Sequence, residues 1–230
     1  LRSVGGDFRF YAELMTEVSN LNSLTSVGGE LSIDSMEELT SVSGFNALVS
    51  AGRIVIRDNK KLLTIGGFNA LTSVDSLVVT SVSQLHTLNG FGALTDLAAS
   101  DTTIEVSSTR LTTLGAFPAL TSAGDVYLTG PVQSLSSLRA LRRVTGDFSA
   151  NSTTVTYLDD LSGLSEVGGK LILQSNSNLT SLSGLSGLTR VASAHISINP
   201  ARCESRVTAF FARWSLTCTS SSCANNKPGC

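Results

Sequence analysis

Apolar residues stand at every second position in Leu31-Ser-Ile33, Ile54-Val-Ile56, Leu77-Val-Val79, Ile104-Glu-Val106, Val126-Tyr-Leu128, Leu171-Ile-Leu173 and Ile196-Ser-Ile198. A period of two turns successive side chains to opposite faces, so each segment predicts a strand with one face buried. Between them the period changes to three, in Leu39-x-x-Val42-x-x-Phe45, Leu62-x-x-Ile65-x-x-Phe68, Leu85-x-x-Leu88-x-x-Phe91, Leu111-x-x-Leu114-x-x-Phe117 and Leu179-x-x-Leu182-x-x-Leu185. A third phrase recurs as Leu24-Thr-Ser-Val27, Leu71-Thr-Ser-Val74, Leu120-Thr-Ser-Ala123, Leu164-Ser-Glu-Val167 and Leu188-Thr-Arg-Val191. The three phrases follow one another in fixed order with a mean period of about 23 residues.

A unit of that length cannot bury its own apolar side, but a stack of them can. Each unit reads as a strand, a turn, a short extended piece, a second turn and a third short piece, with an inward apolar residue at every corner. Starts at Leu1, Leu24, Leu48, Leu71, Leu94, Leu120, Leu141, Leu164 and Leu188 define about nine coils over residues 1–200. The predicted fold is mainly β: a right-handed parallel β-helix, or leucine-rich-repeat-like solenoid, roughly 40 Å long at the ~4.8 Å strand spacing. Leu1 already stands in register with the later starts, so an N-terminal cap, further coils or a partner molecule is expected to lie outside this chain.

Residues 201–230 break the repeat. Val207, Phe210, Phe211 and Trp214 recur at helical spacing after Pro200, which predicts a single helix over 201–216 capping the open end of the stack. All four cysteines lie in this tail, and an even number so clustered fits two disulfides. Three pairings are possible; Cys203–Cys230 with Cys218–Cys223 nests the shorter loop in the longer. The spacing lacks the close Cys-x2-Cys pairs of structural zinc sites, and no metal or cofactor is expected.

Composition refines this picture. The 36 serines and 24 threonines make up about a quarter of the chain, but 41% hydrophobic residues supply a core, so disorder is not the default. Short hydroxyl side chains suit tight corners between inward Leu, Val and Phe. Apolar runs of three residues are far shorter than a membrane span requires, and a net charge of −2 argues against nucleic acid as partner. Asn151-Ser-Thr and Asn178-Leu-Thr match the N-glycan acceptor pattern and, with the cysteines, favour an extracellular or cell-surface setting.

The phrases Leu-Thr-Ser-Val-Gly-Gly-x-Leu-x-Ile (24–33) and Leu-Thr-Ser-Val-Ser-Gly-Phe-x-Ala-Leu (39–48) resemble the receptor L domains. These are the leucine-rich-repeat-like β-helices of insulin and epidermal growth factor receptors, also found in fungal wall proteins and secreted bacterial proteins. The likeness spans roughly residues 1–200, and the Asn199-Pro-Ala-Arg-Cys203 start of the tail looks most like the bacterial members. The chain departs from the animal receptors in having no cysteine within the coils and no cysteine-rich module or kinase. The resemblance implies the fold and an extracellular location, and it carries no catalytic residue.

Candidate chemistry is sparse. His86 and His195 fall in the fourth and ninth coils, ~24 Å apart at the strand spacing, too far to share a site. Asp159-Asp160, one of two adjacent acidic pairs, reads as two solvated residues on a turn, with no facing acid for glycosidase chemistry. Enzymatic activity is not expected. The outward middle column of the strands holds Val55, Val78, Tyr127 and Ile172, flanked by Arg53 and Arg57, and forms a candidate binding face for a protein or glycan. A glycan on Asn151 would obstruct that face.

The alternative is a structural subunit assembling head-to-tail with copies of itself. Residues 1–50 carry a charge of −5 and residues 151–230 a charge of +2, so the two ends attract. An ice-binding role would use the rank of Thr25, Thr72, Thr95, Thr121 and Thr189, which Val49, Arg142 and Ser165 interrupt. A polysaccharide-active β-helix is a further alternative.

Overall fold

The computed structural model describes the chain except for residues 98–101, 108–109, 202–203, 220–221, 227 and 229–230. It is a parallel stacked-coil solenoid of about eight turns. Nine strands stack in parallel, one per coil: Phe8–Phe10, Ser26–Asp34, Ser50–Arg57, Ser73–Thr80, Thr103–Ser107, Asp125–Thr129, Phe148–Asn151, Glu166–Gln174 and Arg190–Ser197. Their register repeats the predicted alternation; Leu31, Ile54 and Leu77 are direct partners from coil to coil.

The period-three segments adopt two forms. In coils one to four they contribute two-residue strands to a second parallel sheet, Glu17–Val18, Ser41–Val42, Thr64–Ile65 and Thr87–Leu88. In coils six to eight the same spacing closes into single 3-10 turns, Ser136–Leu138, Asp159–Leu161 and Ser183–Leu185. Three residues per turn is the 3-10 repeat, so both forms keep every third residue inward.

The core is a set of columns running along the axis. Phe45, Phe68 and Phe91 stack face to face with ring centroids 5.0 and 4.9 Å apart and planes within 11°. Phe117 continues the column at 5.8 Å and a tilt of 32°. From coil six onward buried Leu138, Leu161 and Leu185 occupy the same place. Gly67 turns the chain into this column at φ +78°, where a Cβ would collide with the Ser43 carbonyl oxygen.

A second column was not anticipated. After six of the nine strands the backbone swings through one left-handed residue: Ser35, Asp58, Ser81, Ser152, Ser175 and Ile198 all have φ between 53° and 59°. That swing leaves a buried carbonyl before it and a buried amide after it, and both need partners. At the corners of Ser35, Ser152, Ser175 and Ile198 asparagine supplies them from the next coil. Asn59 accepts from the Met36 amide and donates to the Ile33 carbonyl, both at 2.9 Å. Asn176 does the same for Thr153 and Ala150, and Asn199 for Asn176 and Leu173, again at 2.9 Å.

The tail extends the stack by a partial tenth coil. Ile196 and Ile198 amides donate to the carbonyls of Ser222 (2.7 Å) and Ala224 (2.9 Å), Asn225 takes the left-handed corner at φ 60°, and Asn226 completes the ladder on Asn199 and Ile196. The Cys218–Cys223 disulfide expected from spacing is present and closes the loop that carries this coil; Cys203 and Cys230 lie outside the described residues. The helix is shorter than predicted, Glu204–Arg213. It buries Val207, Phe210 and Phe211, and Arg213 pins its end by donating to the carbonyls of Ser186 and Leu188 at 3.0 Å.

Ile198 is the β-branched member of a left-handed rank otherwise filled by Ser, Asp and Asn, and a left-handed L-residue costs about 1–2 kcal/mol. Its side chain is well exposed, and the Ile198 amide bond to Ala224 does not involve it. Ile198→Asn is expected to stabilise the protein by about 1 kcal/mol. A thermal melt showing no rise in midpoint would count against strain at this corner.

Candidate functional site

The outward face of the large sheet carries three columns, and the structure places the predicted residues there. Arg53 and Arg57 are exposed but engaged within the chain. Arg53 lies 3.7 Å from Glu30, and Arg57 donates to Asp34 at 2.7–2.8 Å. Arg9 extends the network, donating to Asp7 (2.8 Å) and approaching Glu30 (3.8 Å). Burial opposes ionisation of Asp34, but hydrogen bonds from Arg57 and Ser35 outweigh it and hold the carboxyl below its usual range.

Val55 and Val78 do project outward, yet they are only 4% and 8% exposed. The expected exposed apolar strip is therefore corrected. In a parallel stack, neighbours along the strand and in the coils above and below close over a short β-branched side chain, and Ser32 and Ser149 in the same column are buried likewise. Tyr127 and Ile172 are half-buried and remain accessible.

Tyr127 sits among carboxylates. Its hydroxyl lies 3.5 Å from Asp147 Oδ2, and burial, followed by the charges of Asp125 and Asp147, holds the phenol pKa above its usual value. At neutral pH the phenol is protonated and can donate. The aspartates are themselves fixed: Asp125 accepts the Asp147 amide at 2.6 Å, and Asp147 the Lys170 amide at 2.7 Å. Two coils further along the column, beyond Ser149, Ile172 pairs with His195, whose Nε2 is 2.8 Å from Ser197 Oγ.

Of the sequons, Asn151 ends its strand and its carboxamide oxygen accepts the Gln174 amide at 3.1 Å, while Asn178 is exposed. The threonine rank is committed inward: Thr25, Thr121 and Thr189 hydroxyls donate to the carbonyls of Arg2, Thr95 and Ser165 at 2.8–2.9 Å.

A second surface lies at the corner of coils six to eight. Asp160 is not solvated as its sequence position suggests. It reaches back one coil to accept from Arg139 Nε (2.7 Å), the Leu135 amide (3.1 Å) and Ser134 Oγ (3.2 Å). Asp159 stays exposed, with one oxygen 3.3 Å from Ser183 Oγ. Beside it stands Tyr157, 60% exposed, in an outward column that holds Glu17 in coil one and otherwise Ser41, Thr64, Thr87, Thr113, Ser134 and Ser181. Its conspicuousness in that hydroxyl column was the available sequence signal.

Among the described residues no group of three or more His, Cys, Asp or Glu is placed to hold a metal ion, and no helix is long and apolar enough to cross a membrane. No protein-family model matches the chain, and neither a curated protein nor a solved structure matches it.

Proposed function

We propose that this chain is a recognition or adhesion module of the receptor L-domain type, working outside the cell or on its surface without chemistry of its own. It binds a protein or glycan ligand through the outward sheet face. The observation that supports this reading is Tyr127, an accessible phenolic donor held among Glu105, Asp125 and Asp147 on a backbone locked by coil-to-coil hydrogen bonds. Such a face is rigid before binding and loses little entropy on association. Its acidic centre selects a ligand with cationic or hydrogen-bonding groups.

The immobilised domain should bind members of an array of extracellular proteins and glycans more weakly as salt rises, because exposed charges are screened. Tyr127→Ala combined with Glu105→Lys should abolish those signals while the domain stays folded, with a thermal midpoint lowered by no more than about 5 °C. Hits that survive both changes at full strength would place recognition elsewhere.

Head-to-tail self-assembly is supported by one separate feature: residues 1–50 carry a net charge of −5 and residues 151–230 a net charge of +2. In that reading light scattering reports growth at low salt that reverses at high salt.

A further inference from the structure

The two hollows at the corner of coils six to eight adjoin. Gln133 and Thr156 line both; Tyr157, Asp159 and Asp160 complete one, and Pro131, Thr154 and Asn178 the other. The groove therefore crosses three coils, with an exposed aromatic ring in its middle. Among the described residues the Gln133 carboxamide, the Thr156 and Tyr157 hydroxyls and the second oxygen of Asp159 have no side-chain hydrogen-bond partner, whereas Asp160 is fully engaged. These groups are solvent-facing and uncommitted within the chain, and they converge on one exposed aromatic ring in a concave groove; few, convergent polar groups are what orient a ligand.

We propose that this groove binds a neutral carbohydrate chain. A pyranose has an apolar face of C–H bonds and a rim of hydroxyls that both donate and accept. Tyr157 offers a flat amphipathic ring for the first, and the carboxamide, hydroxyls and carboxylate offer both kinds of partner for the second. The coil spacing of ~4.8 Å is close to the length of one sugar unit, so Gln133, Tyr157 and Asn178 on successive coils address successive residues of an extended chain. Asp159 repels an anionic polysaccharide. The site is on a different side of the solenoid from the Tyr127 face and does not depend on the sheet-face reading.

The test is calorimetric titration of protein made in a host without N-glycosylation, using hexaoses of glucose, xylose, mannose and N-acetylglucosamine, with hexagalacturonate as the anionic counterpart. At least one neutral hexaose binds, its affinity rising from the monosaccharide to about the trisaccharide and then levelling, and hexagalacturonate does not. Tyr157→Ala lowers affinity by about tenfold or more, in line with the worth of an aromatic contact, and Asp159→Asn lowers it less. Tyr127→Ala leaves it unchanged. Tyr157 is exposed, so its truncation spares the core, and an unaltered melting curve verifies this. Failure of every neutral hexaose to bind at millimolar concentration, or parent-like binding by Tyr157→Ala, overturns the proposal. Loss on Tyr127→Ala instead overturns the assignment to this groove and moves glycan binding to the sheet face.

Discussion

Replacing Asn176 with alanine is expected to cost about 3–4 kcal/mol, although the side chain is small and polar. Asn176 is fully buried and serves three groups of coil seven: the Thr153 amide at 2.9 Å, the Thr153 hydroxyl at 2.7 Å and the Ala150 carbonyl at 2.9 Å. Alanine leaves the amide and the carbonyl buried without partners, each at about 1–3 kcal/mol, and a trapped water recovers only part of that. Asn178→Ala, two residues away and exposed, should change stability by less than about 0.5 kcal/mol. Urea denaturation of the pair gives the comparison, and a loss below 1 kcal/mol for Asn176→Ala would show that water can replace the ladder. Because each coil contacts only its neighbours, weakening this junction should also broaden the transition, as coils eight and nine with their cap begin to melt separately.

Phe68→Ala should be the most damaging single truncation in the core, at about 3–5 kcal/mol. Phe68 is stacked on both faces, by Phe45 at 5.0 Å and Phe91 at 4.9 Å, and strands locked above and below cannot move inward to close the void. Phe68→Leu should lose much less, about 1–1.5 kcal/mol, since the chain itself fills this column with Leu138, Leu161 and Leu185 further along. The ratio of the two losses is the informative number. Equal losses would mean that ring stacking, rather than filled volume, sets the stability of the column.

The solenoid was legible because alternation and the three-residue period state directly which residues turn inward: Leu31, Ile54, Leu77 and Phe45, Phe68, Phe91 are all buried. The Cys218–Cys223 pairing followed from loop nesting. The asparagine ladder escaped notice because its place is filled by Met36, Val82 and Thr153 in other coils, so no single residue type repeats there. Its cause is a backbone angle at Ser35, Ser152 or Ser175, and that residue type also occurs at ordinary turns. Val55 and Val78 show a different limit. Alternation separates inward from outward, but accessibility of an outward side chain depends on the neighbours that crowd it. The hydroxyl-rich composition also reads differently in the folded chain: Thr25, Thr40, Thr121, Ser165, Thr180 and Thr189 each donate to a carbonyl of the preceding coil, so these residues splice coils together as well as fitting corners. Tyr157 was overlooked because its significance lies in what its column neighbours are not.

Asn226 gives the tail a meaning beyond covering an end. Asn226 meets the ninth coil through the same pair of groups that Asn59, Asn176 and Asn199 meet at their own junctions: an amide after the left-handed residue and a carbonyl before it. The cap thus works as a portable terminator, indifferent to how many coils precede it. A copy of the 23-residue segment from Asn176 to Ile198 inserted ahead of Asn199 would hand the cap the same junction, so the length of the array is free to change by whole coils while its ending stays constant.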